Sequence, residues 1–254
     1  MIQFSSQALD LAIASILWPF IRILALVATA PVLGHRTVPV RVKVGLSLLV
    51  ALLVAPTLSV PASPLASPAG IILLVQQILI GISMGFTLRI MIAAVELAGE
   101  LIGLQMGLNF AGFFDPATSS QGTPVGAWLS MLVTLIFLAM NGHLMVLFGV
   151  VESFRVMPIT PDAMAVGDWK RMATLGTELF RVGMYVALPI LAAMLVCNIG
   201  MGVLARVAPQ LNIFAVGFSI TLLVGYFVLT LSMPSVGQYI ESSLGRGLEM
   251  MIRR

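Results

Sequence analysis

Charge is what this chain has least of. Only 13 Lys+Arg and 10 Asp+Glu stand among 254 residues, 9% of the total, against about 25% in an ordinary soluble domain. A soluble fold of this length must cover itself with polar groups, and so few charges cannot do that. Cysteine is nearly absent as well. The single Cys197, set in the apolar run Met194-Leu195-Val196-Cys197, excludes an intrachain disulfide and a cysteine-based metal cluster. The two histidines, His35 and His143, lie far apart with no second ligand at helical spacing, which argues against a metal site. The basic residues are scattered and no aromatics are interleaved with them, so a net charge of +3 reads as a membrane-orientation signal rather than a nucleic-acid surface. No H-E-x-x-H occurs, and no nucleophile has a base at useful spacing, so neither enzyme chemistry nor a cofactor is expected.

What the chain does have is apolar length. Its residues are 59% hydrophobic, and a span takes roughly 20 apolar residues. The expectation is an all-α integral membrane protein, one membrane domain over 1–254 with about six hydrophobic helices and broken or re-entrant segments. The uncharged runs place these helices at residues 9–33, 42–60, 71–92, 128–151, 185–204 and 211–233. Pro56, Pro61, Pro64 and Pro68 divide the long run from Val44 to Leu88 in two. No Lys or Arg precedes the first stretch and Asp10 does, so a retained first span is expected rather than a cleaved signal. Over 168–183, Asp168 can cap a helix. Trp169, Met172, Leu175, Leu179 and Val182 recur there at spacings of three and four, opposite Lys170, Glu178 and Arg181. That pattern suits an amphipathic helix at a boundary, and equally a solvated connector.

Positive charge gives an odd topology. Arg36, Arg41 and Lys43 after the first span, and Arg246, Arg253 and Arg254 in the tail at 235–254, should share the cytoplasmic side. Five spans separate them. One segment therefore fails to cross in the ordinary way, or the chain does not sit in the bilayer as a simple bundle.

Four polar features interrupt the apolar background. Arg89, Glu96, Glu100, Gly103 and Gly107 fall on one stripe of a helix continued from the third span. Gly99, Gly103 and Gly107 form a small-xxx-small ladder, and Gly81/Gly85 another. A packing face explains this seam, as does a polar lining of a conduit; either keeps the charges out of lipid, where each costs roughly 2.5–3.5 kcal/mol at a helix centre. Next, the segment 107–122 sets Phe110, Phe113 and Phe114 among glycines and ends in Asp115-Pro116 and a polar run, a flexible loop with an apolar tip. Such a tip either staples the loop to the protein's own core or plugs a pore by dewetting. Third, Asn141-Gly142-His143 interrupts the fourth span, marking a kink, an interhelical hydrogen bond or a proton relay at His143. Finally, Arg206, Pro209, Gln210 and Asn212 make a short polar turn between the last two spans, sufficient as a tight hairpin. The 16 methionines suit an apolar core or a deformable seal.

Taken in order, Glu96 to Gly107 with Gln105-Met106-Gly107, then Asp115-Pro116, Asn141-Gly142-His143, Glu152-Ser153-Phe154 before Pro158, and Arg206 to Asn212 running on into Ile213-Phe214-Ala215-Val216-Gly217-Phe218, resemble the FliR family of flagellar export proteins and its injectisome (SctT) counterparts. The resemblance extends over nearly the whole chain and includes the basic loop Arg36 to Lys43. It implies helical hairpins within a hetero-oligomeric type III export gate, one copy of this chain with several FliP and FliQ subunits, next to FlhB and FlhA. It also implies a site in the bacterial inner membrane within the flagellar basal body, and unfolded export substrates as cargo. By the same resemblance Phe110, Phe113 and Phe114 match a plug loop, with Met106 as a further contributor. A stand-alone permease with Asn141, His143 and Glu100 at a midplane site is the rival reading, and a scaffold subunit that never meets substrate is another.

Overall fold

The computed structural model describes residues 6–58, 67–108, 122–160, 167–208, 210 and 213–252. Seven α-helices and no strand are found among the described residues: α1 Ser6–Thr29, α2 Val40–Val54, α3 Pro68–Gln105, α4 Pro124–Ala139, α5 Gly142–Val156, α6 Gly167–Val207 and α7 Ile213–Ile252. A single 3-10 turn, Ala55–Thr57, follows α2. The chain is an all-α membrane protein. Four stretches are long and apolar enough to span: Val40–Thr57, Pro68–Gln105, Thr174–Val207 and Val216–Met251. Helices α4 and α5 qualify only together, bent by 64° at their break, and Ile13–Thr29 is a shorter apolar helix. These make up six apolar segments. The bent pair is either one broken span, which leaves five spans between the basic loop and the tail, or a re-entrant loop, which leaves four.

The helices run further than the apolar runs that announce them. The third span, expected at 71–92, continues to Gln105 because glutamate and alanine are good helix formers and the glycines at 99 and 103 lie where another segment packs close. The amphipathic stretch 168–183 and the span 185–204 are one helix of 41 residues, passing through Pro189. The last helix passes through Pro234 and takes in most of the tail. An interior proline costs one backbone hydrogen bond, a loss that long helices in apolar surroundings absorb. The run 128–151 is divided at Asn141, which takes a left-handed conformation (φ 57).

The chain divides into two compact units. The first comprises Met1–Ile90, Leu138–Leu175 and Gly245–Arg254. In it, Gly81 of α3 lies against Arg22 to Leu26 of α1, and Gly85 lies against Thr29 and Ala30. Both contacts advance in the same direction along both helices, so α1 and α3 run parallel with bare backbone at the crossing. The Gly81/Gly85 ladder marks that close approach. On the two helices Trp18, Ile23, Leu26, Leu73, Met84 and Leu88 are fully buried. The second unit comprises Met91–Phe137 and Gly176–Leu244. Gly183 of α6 sits against the Ala94 carbonyl, where an added Cβ would come within 2.8 Å.

Candidate functional site

In the second unit, the residues flanking 109–121 form two stems held on one helix. The first stem is the end of α3. Leu108 N–H donates to the Gly103 carbonyl at 3.0 Å and Gly107 N–H to the Leu104 carbonyl at 3.0 Å. With Gly107 at φ +79, this is the Schellman arrangement, in which a left-handed residue satisfies the last helical carbonyls and only glycine adopts it without strain. Met106, fully buried, packs on Gly225 of α7, where a Cβ would stand 2.6 Å from its Cγ. Phe218 lies beside Gly107.

The second stem is the start of α4. Thr123 is its N-cap: the side-chain oxygen accepts the Gly126 N–H at 3.0 Å, and Pro124 follows at the first helical position. The same hydroxyl donates to the Gly99 carbonyl at 3.3 Å. Glu100 completes the anchor, with both carboxylate oxygens 2.9 Å from the Thr123 backbone nitrogen. A carboxylate at a helix N-terminus is favoured by the orphan N–H groups and the helix dipole. The approach is close enough to exclude side chains. A Cβ on Gly122 (φ +79) or Gly126 would strike the Glu100 carboxylate, and one on Gly99 would stand 2.6 Å from the Gly126 Cα. An apolar cleft of about 360 Å³ opens beside this stem, lined by Pro124, Val125 and Trp128 of α4 and by Tyr226, Leu229 and Met233 of α7.

The structure therefore brings together Gly99, Glu100, Gly103, Met106 and Gly107 around the ends of the loop. Phe110, Phe113 and Phe114 lie outside the described residues. Arg89 and Glu96 share the stripe on paper but stand exposed, without an ion-pair partner among the described residues. Asn141 and His143 sit at the break between α4 and α5. The Asn141 carbonyl accepts Leu144 N–H at 2.9 Å and starts α5, while His143 Nδ1 is buried with no partner among the described residues. The triplet thus makes the bend. Arg206 is exposed in the last turn of α6 and Gln210 is exposed in the turn, while Pro209 and Asn212 lie outside the described residues.

Two residues of consequence escaped the sequence reading. Thr123 looks like an ordinary loop threonine, although the order Gly-Thr-Pro before an apolar run is a helix-start signal. Arg22, in the first unit, is a lone charge between two uncharged runs. It is fully buried, donating from Nε to Gln77 Oε1 (2.7 Å), from Nη1 to the Ser153 carbonyl and hydroxyl (3.1 and 3.2 Å), and from Nη2 to the Met157 carbonyl (3.0 Å). Its guanidinium lies 4.2 Å from the Phe154 ring centre.

Comparison with known proteins places these features in a family. The family described as bacterial export proteins, family 1, matches residues 13–247. The flagellar biosynthetic protein FliR of Pectobacterium carotovorum subsp. carotovorum is 44% identical over 241 residues, covering 95% of this chain and 92% of the relative. The protein of the same name from Escherichia coli (strain K12) is 42% identical over 224 residues, covering 88% and 86%. That of Bacillus subtilis (strain 168) is 29% identical over 235 residues, covering 91% of each.

Proposed function

The chain belongs to the bacterial export proteins, family 1, and from that premise we propose that its loop at 107–122 seals the conduit through which unfolded flagellar proteins cross the inner membrane. The chain is a subunit of the flagellar type III export gate and lies in a membrane. Its family is described by export and not by catalysis. The proposed setting is the inner membrane within the flagellar basal body. There, one copy assembles with FliP and FliQ subunits beside FlhB and FlhA, and the driving force acts on other components. The relatives carry flagellar names, which favours the flagellum over the virulence injectisome.

The observation that carries the sealing role is the pair of stems. A loop bearing Phe110, Phe113 and Phe114 leaves α3 through a capped Gly107 over the buried Met106, and returns to the same helix at the Glu100–Thr123 anchor. Short, rigid ends let an apolar tip hold a narrow passage closed by dewetting, without a covalent lock. The test replaces all three phenylalanines with alanine in the assembled complex. Ion leakage across the membrane should rise. Unaltered conductance together with unaltered secretion would remove the assignment. A photocrosslinker at Phe113 should also capture a stalled export substrate, which a scaffold without substrate contact does not do.

A further inference from the structure

We propose that the turn between α1 and α2, with the exposed face of α2, binds an anionic phospholipid. The turn is built rather than loose. Gly34 N–H donates to the Ala30 carbonyl (2.9 Å), His35 N–H to Val32 (3.2 Å) and Val38 N–H to His35 (3.1 Å). Lys43 Nζ reaches back to the Gly34 carbonyl at 2.9 Å, and His35 Nδ1 pairs with Thr37 Oγ1 at 2.9 Å. Val32 holds φ 65, a conformation that a β-branched residue takes only under constraint. A Cβ on Gly34 would come within 2.6 Å of two carbonyl oxygens, so the path of the chain here is closely specified.

This turn displays positive charge that nothing nearby neutralises. Arg36 and Arg41 are exposed and have no acidic partner among the described residues. No Asp or Glu occurs anywhere from Leu11 to Val95, while Arg22, Arg36, Arg41, Lys43 and Arg89 do. Two other exposed arginines are paired, Arg155 with Glu152 at 3.4 Å and Arg181 with Glu178 at 3.3 Å, whereas Arg89 is exposed and unpaired among the described residues but is the lone cation of its helix. Directly beyond the cations, α2 turns an apolar face outward. Val42 is 55% exposed, Leu49 56% and Leu53 68%. From Val42 to Leu53 that face runs about 17 Å at 1.5 Å per residue, enough for an acyl chain crossing one leaflet of about 15 Å, half the bilayer core.

Cations at one end and an apolar track continuing from them match a headgroup phosphate and its acyl chain. An acidic protein segment would satisfy the arginines and leave the track uncovered. Basic residues close to an anionic lipid surface each add about fivefold to its retention, so removing two should weaken retention roughly thirtyfold.

The test uses the full chain as it purifies from membranes, with whatever subunits accompany it, so it does not depend on the sealing role. The protein is reconstituted in phosphatidylcholine alone or mixed with phosphatidylglycerol, re-extracted, and weighed with its bound lipids by native mass spectrometry. The wild type should keep phosphatidylglycerol in preference to phosphatidylcholine. Arg36→Gln with Arg41→Gln should lose it, and so should Leu49→Thr with Leu53→Thr. Arg36→Lys with Arg41→Lys, and Arg155→Gln, should retain it. Equal retention of the two lipids by the wild type overturns the proposal, whether or not any variant can be recovered. So does undiminished phosphatidylglycerol in the glutamine pair, and loss of another subunit from that pair with lipid unchanged would assign the arginines to an acidic protein segment.

Discussion

Arg22 shows how a single charge is held inside an apolar protein. No carboxylate faces it among the described residues; instead it takes the carbonyls of Ser153 and Met157 at the C-terminal end of α5, where the helix dipole is negative. The Phe154 ring adds a cation–π contact. The guanidinium thus caps α5 and ties it to α1 and α3 at one point. Arg22→Met would retain much of the volume while leaving the Gln77 and Met157 oxygens without their donor. Each orphaned acceptor costs about 1–3 kcal/mol, offset by no longer burying a charge. The expected net loss is about 1–3 kcal/mol, visible as a lower unfolding midpoint of the purified protein, with Arg22→Lys between because an ammonium cannot reproduce the fork. A methionine variant as stable as the wild type would show that the carbonyls are satisfied without it. The isolation of Arg22 between uncharged runs was legible in the sequence. Its partners were not, since three of them lie 55 to 135 residues away.

At the scale of elements, α3 carries most of the organisation. Its two glycine ladders were readable as close-approach faces; an added Cβ would collide at Gly81, Gly85, Gly99 and Gly103, whereas Gly107 is required by its φ of +79. What spacing could not say is which segment each ladder meets: Gly81 and Gly85 face α1, whereas Gly99 and Gly103 face the start of α4. Small residues specify distance, not partner. The charged stripe was readable only as a stripe, because helical phase places Arg89, Glu96 and Glu100 alike while their neighbours differ. Among the described residues Glu100 alone of the three has a partner, the N-terminus of α4. Removing it with Glu100→Ala should unpair the Thr123 N–H and loosen the second stem. Amide hydrogen exchange over 122–127 should accelerate by roughly tenfold or more, given about 1–3 kcal/mol for an orphaned buried donor. Glu100→Gln keeps an acceptor oxygen and should restore most of the protection. Equal exchange in the alanine variant would show that the Thr123 cap holds the stem unaided.

For the whole molecule, scarcity of charge reads first as a bilayer, but the few exposed charges make it a statement about partners as well. On α3 the exposed large apolar side chains run from Ile71 to Phe86 and then give way to exposed Arg89 and Glu96; on α7 they run from Val216 to Leu231 and then give way to exposed Gln238, Glu241 and Arg246. At 1.5 Å per residue these apolar faces run about 23 Å, within helices about 57 and 60 Å long. The hydrocarbon core is about 30 Å thick, and even a tilt of about 40° lengthens the path through it only to about 39 Å. About 20 Å of each helix therefore lies beyond hydrocarbon, and there α7 turns polar. Only 11% of the α7 spanning window is buried within the chain, against 61% of that of α3, so it is the α7 face that the chain leaves open. Arg89 and Glu96 are exposed on α3, and lipid is a poor neighbour for either charge. Other subunits are a covering that suits both the open α7 face and these charges. Expressed alone and extracted in detergent, the chain should aggregate on size exclusion. Co-expressed with the other apolar subunits of the export apparatus, it should elute as one monodisperse heteromer. A stable, monodisperse monomer would mean that detergent or lipid suffices along the α7 face and around Arg89 and Glu96, and would remove the partner requirement.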